Sequence, residues 1–180
     1  MNLLTNATPH ALWQDVIKHA EDRCSVSLNK DLESYLVSLL VRYTNNPSVV
    51  KQIMATRFLE ALHLGKNERN VSLQNVGDQC LLFAGLFPHM AEKRLVRVNY
   101  FVDLGRSAYG LVSVGANDLF KSLALEFVLL MDVLQSIRYS SDLLPLEAYE
   151  QWNELGSQRA LKILENYTSA LPSTIIKIKQ

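Results

Sequence analysis

The sequence predicts an all-α fold, a single domain built as a bundle of about seven helices around a central apolar helix near residues 117–140. Three observations carry this. Apolar residues recur at helical spacing along nearly the whole chain. No stretch alternates with period two for long enough to make a sheet. The chain has 180 residues, 48% of them hydrophobic and 20% charged, which suits one packed core and excludes disordered or low-complexity classes.

The first helix is marked by Leu12, Trp13, Val16, Ile17 and Ala20 on one face, with Thr8 as N-cap and Pro9 in the first turn. A second is expected over 29–44, burying Leu32, Leu36, Leu39, Leu40 and Tyr43 before Asn45-Asn46-Pro47 breaks it. Pro47 starts a third, whose stripe is Val50, Ile53, Met54, Phe58, Ala61 and Leu62, with Gly65 expected as its left-handed C-cap. The fourth runs over 72–87 and is closed by Pro88. After a connection at 91–98 the fifth spans 99–114, and Gly115-Ala116-Asn117 separates it from the sixth. That sixth helix is apolar almost all round: Leu119, Leu123, Phe127, Leu130 and Leu134 form one stripe, Leu125 and Leu129 another. A seventh runs from Pro145 to Tyr167 with a kink expected at Gly156. Residues 171–180, with the strand-like Thr174-Ile175-Ile176-Lys177-Ile178, read as a flexible tail.

Charge and composition then restrict the function classes. Eighteen Lys and Arg balance eighteen Asp and Glu, so neither half is a basic module and a nucleic-acid partner is not expected. Leu119 to Leu134 is interrupted by Lys121, Glu126 and Asp132, so a core helix is expected there and not a membrane span. Only Cys24 and Cys80 are present. No disulfide framework is expected, and with no basic residue before an apolar run at the N-terminus the reading is a cytoplasmic protein.

No catalytic set is complete. Glu60-Ala61-Leu62-His63 has the Glu-x-x-His spacing of di-iron bundles, yet no second copy exists, so no metal is expected. There is no Gly-x-Ser-x-Gly elbow, and Gly105, Gly110 and Gly115 fit no phosphate-binding loop; no cofactor follows. The glycines are informative in another way. Gly77 and Ala84 lie on one face of the fourth helix, Gly105 and Ala108 on one face of the fifth, and the loss of helix propensity at glycine is recovered where two such faces touch.

Charged residues beside these small stripes are the candidate site. Asp78, Asp103, Arg106 and Tyr109 are expected to form a polar network, structural or ligand-holding, with Asp103 and Arg106 three apart on one turn. Lys93, Arg94 and Arg97 cluster before the fifth helix, where an anion could be met. Glu126 is expected to face a polar neighbour, with Arg106 or Arg138 as its cation if it is buried.

Val76-Gly77-Asp78-Gln79-Cys80-Leu81-Leu82-Phe83-Ala84-Gly85-Leu86-Phe87, followed by Asn99-Tyr100-Phe101-Val102-Asp103-Leu104-Gly105-Arg106-Ser107-Ala108-Tyr109, resembles a family of uncharacterised all-helical proteins of proteobacteria. That family carries Gly-Asp-x-x-Leu-Phe-x-x-Gly-Phe-Phe and Tyr-Tyr-x-x-Met-Gly-x-x-Ala-Tyr segments. This chain departs from it at Leu86, Phe101 and Leu104, all apolar or aromatic exchanges. The resemblance implies a bacterial intracellular helical protein and brings no activity. The first functional reading is therefore a non-enzymatic protein acting through protein contacts, as an adaptor or homodimer. The rivals are a binder of a small or lipid-like molecule, with Asp78, Arg106 and Tyr109 lining a pocket between helices four, five and six, and an enzyme using Asp78, Asp103 or Glu126.

Overall fold

The structure, a computed structural model, describes residues 8–46, 54–88, 97–112, 118–138 and 143–168. Among these every regular element is a helix. They are α1 (Pro9–Cys24), α2 (Lys30–Asn45), α3 (Met54–Leu62), α4 (Lys66–Leu86), α5 (Val98–Leu111), α6 (Leu119–Leu125), α7 (Phe127–Gln135), α8 (Pro145–Leu155) and α9 (Gln158–Tyr167). None is long and apolar enough to cross a membrane.

Local chemistry sets the helix ends. Thr8 Oγ1 accepts from the Ala11 amide at 3.2 Å and Asn29 Oδ1 from the Leu32 amide at 2.9 Å, each satisfying one otherwise unpaired first-turn donor. At the other end of α1 the chain turns through Ser25 in the left-handed region, φ 56°. Gly156 does the same after α8, φ 72°, and so the expected kink is a full break: α8 ends there and Ser157 caps α9 with its hydroxyl on the Ala160 amide.

The nine described helices exceed the expected seven because two expected helices are each divided, at Gly156 and at Glu126. The second division is a bend. Glu126 donates its amide to Ser122 and accepts from Leu130, so the ladder of hydrogen bonds runs on through it. Glu126 itself is exposed, and the buried form considered from the sequence does not arise. Gly65 is a further correction. Its φ is −61° and it stands at the N-cap of α4, so α4 begins six residues before the expected start. The Pro47 start of the third helix, the 113–117 junction and the tail at 171–180 lie outside the described residues.

The core is one large cluster to which α1 to α7 contribute. Two helices occupy its centre. Every residue of α4 from Val76 to Gly85 is buried, and in α7 so are Phe127 and Leu130 to Gln135. The expected central helix is thus half right: α7 is enclosed, α6 is more exposed, and α4 is as central as α7. Missing side chains make this packing close. A Cβ on Gly77 would lie 2.5 Å from the Tyr109 ring, one on Gly105 2.5 Å from Phe127 and 2.9 Å from Cys80 Cβ, and one on Gly85 2.4 Å from Leu134. The glycine faces of α4 and α5 therefore meet, with Phe83 and Phe101 stacked across the same contact at 5.2 Å. Both thiols are free and buried. A second, small cluster joins α8 to α9 through Leu143, Ala148, Ala160, Ile163 and Leu164, flanked by Tyr149 and Trp152.

Candidate functional site

The Gly77 contact places a carboxylate. Because residue 77 has no side chain, the Tyr109 ring lies against α4, and its hydroxyl donates to Oδ1 of the adjacent Asp78 at 2.8 Å. From α2 the Tyr35 hydroxyl donates to the same oxygen at 2.6 Å, and Gln74 Nε2 donates to the Tyr35 oxygen at 3.2 Å. The other carboxylate oxygen, Oδ2, accepts from Nη2 of Arg42 at 3.2 Å. Aromatic edges wall the group in: Tyr35 stands edge-on to Tyr109 at 6.3 Å and to Phe120 at 6.0 Å.

These contacts fix the protonation chemistry. Burial pushes the Asp78 carboxyl above the ordinary carboxylate value, and the Tyr35 hydroxyl, Arg42 and the Tyr109 hydroxyl oppose that rise. Burial and the neighbouring carboxylate both push the two phenols up, so Tyr35 and Tyr109 stay protonated and act as donors. Arg42 differs from the rest of the cluster. Asp78 is nearly closed off, whereas half of the Arg42 side chain meets solvent. The buried carboxylate and its two phenols therefore work as a mount that orients one arginine outward.

Arg42 stands where two clefts meet, each of about 380 Å³. One lies between α2 and α4, with Leu39, Tyr43 and Leu82 on its apolar side and the Asp78 carboxyl in its wall. The other follows the polar face of α2 through Asp31, Ser34 and Ser38 toward Leu119 of α6.

The expected network is regrouped. Asp78 and Tyr109 come together, but Asp103 and Arg106 are exposed on the outer face of α5, and Arg106 donates through Nε to the Ala124 carbonyl at 3.2 Å. Position 106 lies one residue beyond Gly105, and the face of α5 that Gly105 turns to α4 leaves Arg106 pointing away. A pocket lined by Asp78, Arg106 and Tyr109 therefore does not form: Tyr109 is fully buried and Arg106 points out. Arg97 is exposed and 3.9 Å from Glu154, an acid that competes with any anion there; Lys93 and Arg94 lie outside the described residues. Among the described residues no three His, Cys, Asp or Glu side chains are grouped to hold a metal ion.

Sequence reasoning missed Arg42 and Tyr35. The available signal was a polar stripe on α2, Asp31, Tyr35, Ser38 and Arg42, at helical spacing and opposite the buried leucines. It also missed a second buried carboxylate. Asp132, on α7, accepts from the Ser157 hydroxyl at 2.6 Å and from the Gln158 and Arg159 amides at 2.9 and 3.3 Å, so one helix caps the N-terminus of another. Burial pushes this carboxyl up to about 6. All its contacts are internal, which makes it a structural joint.

No protein-family model matches the chain, and no curated protein and no solved structure is significantly similar to it. The segments 76–87 and 99–109 pack against each other here, through Gly77, Asp78, Gly105 and Tyr109.

Proposed function

We propose that the protein is a non-enzymatic binder of a small molecule, with its site in the cleft between α2 and α4. The observation that carries this is Arg42: a half-exposed guanidinium lining both clefts and held by a buried carboxylate with two phenol donors. A structural ion pair has no need of such a mount, since surface pairs contribute little to stability, whereas a binding group gains from having its orientation fixed beforehand. The two free, buried thiols support a reducing, cytoplasmic setting. Native mass spectrometry of the protein purified from its own cell tests the reading. A bound small molecule on the parent that is absent from an Asn75→Trp variant, which sets an indole at an exposed position lining the cleft, is expected. Identical unliganded masses for both would overturn it.

A second reading, action through protein contacts, is favoured by Leu59 and Leu62, three apart on α3 and both exposed, with Leu64 and Val71 exposed just beyond. Light scattering checks it for a homodimer: Leu59→Glu is expected to disperse a dimer, and a parent that is monomeric at high concentration rejects that form.

A further inference from the structure

We infer that the ligand of the α2–α4 cleft is a monoanionic carboxylate carried on a small, flat, largely apolar body; this rests on the binding reading above. The charge inventory comes first. Arg42 is the one cation among the described residues lining either cleft, and Asp78 already opposes it on its inner side. Tyr35 and Tyr109 share the Asp78 charge with Arg42, so a monoanion adds one negative charge to a balanced set, while a dianion such as a phosphate monoester adds two.

Geometry points the same way. Asp78 takes Arg42 through Nη2 and Tyr35 is a second neighbour of the guanidinium, so of the five N–H donors of the planar fork more than two are not used by Asp78. Two parallel donors of that fork match the two oxygens of a carboxylate. Of the two clefts, the one along α2 presents the Asp31 carboxylate, which repels an anion. The α2–α4 cleft has a carboxylate as well, Asp78, but Tyr35, Tyr109 and Arg42 already donate to it, and the amides of Asn45 and Asn75 add uncharged groups that can both donate and accept.

The apolar side sets the body of the ligand. The half-buried Tyr43 ring supplies the apolar surface, held by an edge contact with Phe87 at 6.1 Å, with the buried Leu39 and Leu82 behind it. A volume of about 380 Å³ falls at the small end of ligand sites, enough for one ring with its acid group.

Calorimetric titration of the full chain with benzoate, benzamide and inorganic phosphate tests the inference. Benzoate is expected to bind, benzamide and phosphate at least about tenfold more weakly, and Arg42→Gln to weaken benzoate by at least about tenfold, as loss of a charge-assisted pair requires. Because Arg42→Gln also removes a partner from buried Asp78, Asn75→Asp provides a second variant. It changes an exposed residue of the cleft, leaves the mount intact and is expected to weaken benzoate to a similar degree by repulsion. Benzamide equal to benzoate, or benzoate unaffected by both variants, overturns the carboxylate class. So does phosphate binding more tightly than benzoate. If none of the three probes binds while a molecule is found on the native protein, the class is wrong and the binding reading stands; absence of both removes both.

Discussion

Asp78→Ala is expected to destabilise the protein by about 1–3 kcal/mol for the Tyr109 hydroxyl alone, which would be left fully buried without an acceptor. Arg106→Ala is expected to stay within about 0.5 kcal/mol of the parent, since that side chain is exposed and loses one bond to a carbonyl. Urea denaturation of both variants checks this, and equal midpoint shifts would mean that the network is misassigned. The contrast shows what a single residue reveals in sequence. Asp78 was legible because an acid stood inside an apolar, small-residue run. Its cation was not, because Arg42 precedes it by 36 positions on another helix, and the nearer Arg106 had equal claim until the helix faces were known. Asp132 was visible only as an interruption of an apolar run; that it caps α9 depends on a contact 25 and more residues away. Its titration gives a second prediction. Burial lifts its folded value from the ordinary 3.8 to about 6, so the folded state holds this proton more tightly than the unfolded chain. The stabilisation is therefore full below about pH 4 and is lost as pH rises through about 6, by roughly 3 kcal/mol. Asp78 shifts in the same direction. Thermal melting of the parent and Asp132→Asn between pH 4.5 and 7.5 isolates the first group: the parent should lose stability relative to the variant across that window.

At the scale of elements, the close contacts of α4 with α5 and of α5 with α7 make glycines unequal. Gly105→Leu should cost about 1–3 kcal/mol or more by overpacking against Phe127 and Cys80. Gly110, five residues on in the same helix, has open space where a Cβ would go, and Gly110→Ala should stabilise by about 0.5–1 kcal/mol through helix propensity. Melting temperatures moving in opposite directions are the expected result. Helix existence was readable from periodicity and caps throughout, as Thr8, Asn29 and Pro145 show. Helix division was less so. Gly156 marked a kink, which its φ of 72° turns into a full break, and nothing in residues 122–130 marks the bend at Glu126, where neither Pro nor Gly occurs. Gly65 was misread because a glycine between two helices serves equally after one or before the next, and only its φ of −61° decides.

Across the whole molecule, the core is layered from α4 and α7 outward, while the α8–α9 hairpin keeps its own small cluster and joins the rest through largely polar contacts: Asp132 with Ser157, Arg159 with Gln135, Lys162 with the Arg23 carbonyl and Ser25. Polar joints of this kind open at lower free energy than apolar cores. Both cysteines are buried in the large cluster, but at different places in it. Cys80 lies mid-way along α4 with its sulfur 3.4 Å from that of Met54, and Cys24 ends α1 beside the residues that Lys162 clasps. The protein thus carries a built-in clock for its own opening. An aromatic disulfide reagent such as Ellman's should consume the buried Cys24 thiol first, as fast as the hairpin contacts beside it open, and the second only as fast as the entire chain unravels, at Cys80. Dilute urea should accelerate the slow phase steeply and the fast one hardly at all, and Cys24→Ser should erase the fast phase alone. A single exponential for both thiols would mean instead that hairpin and core let go together.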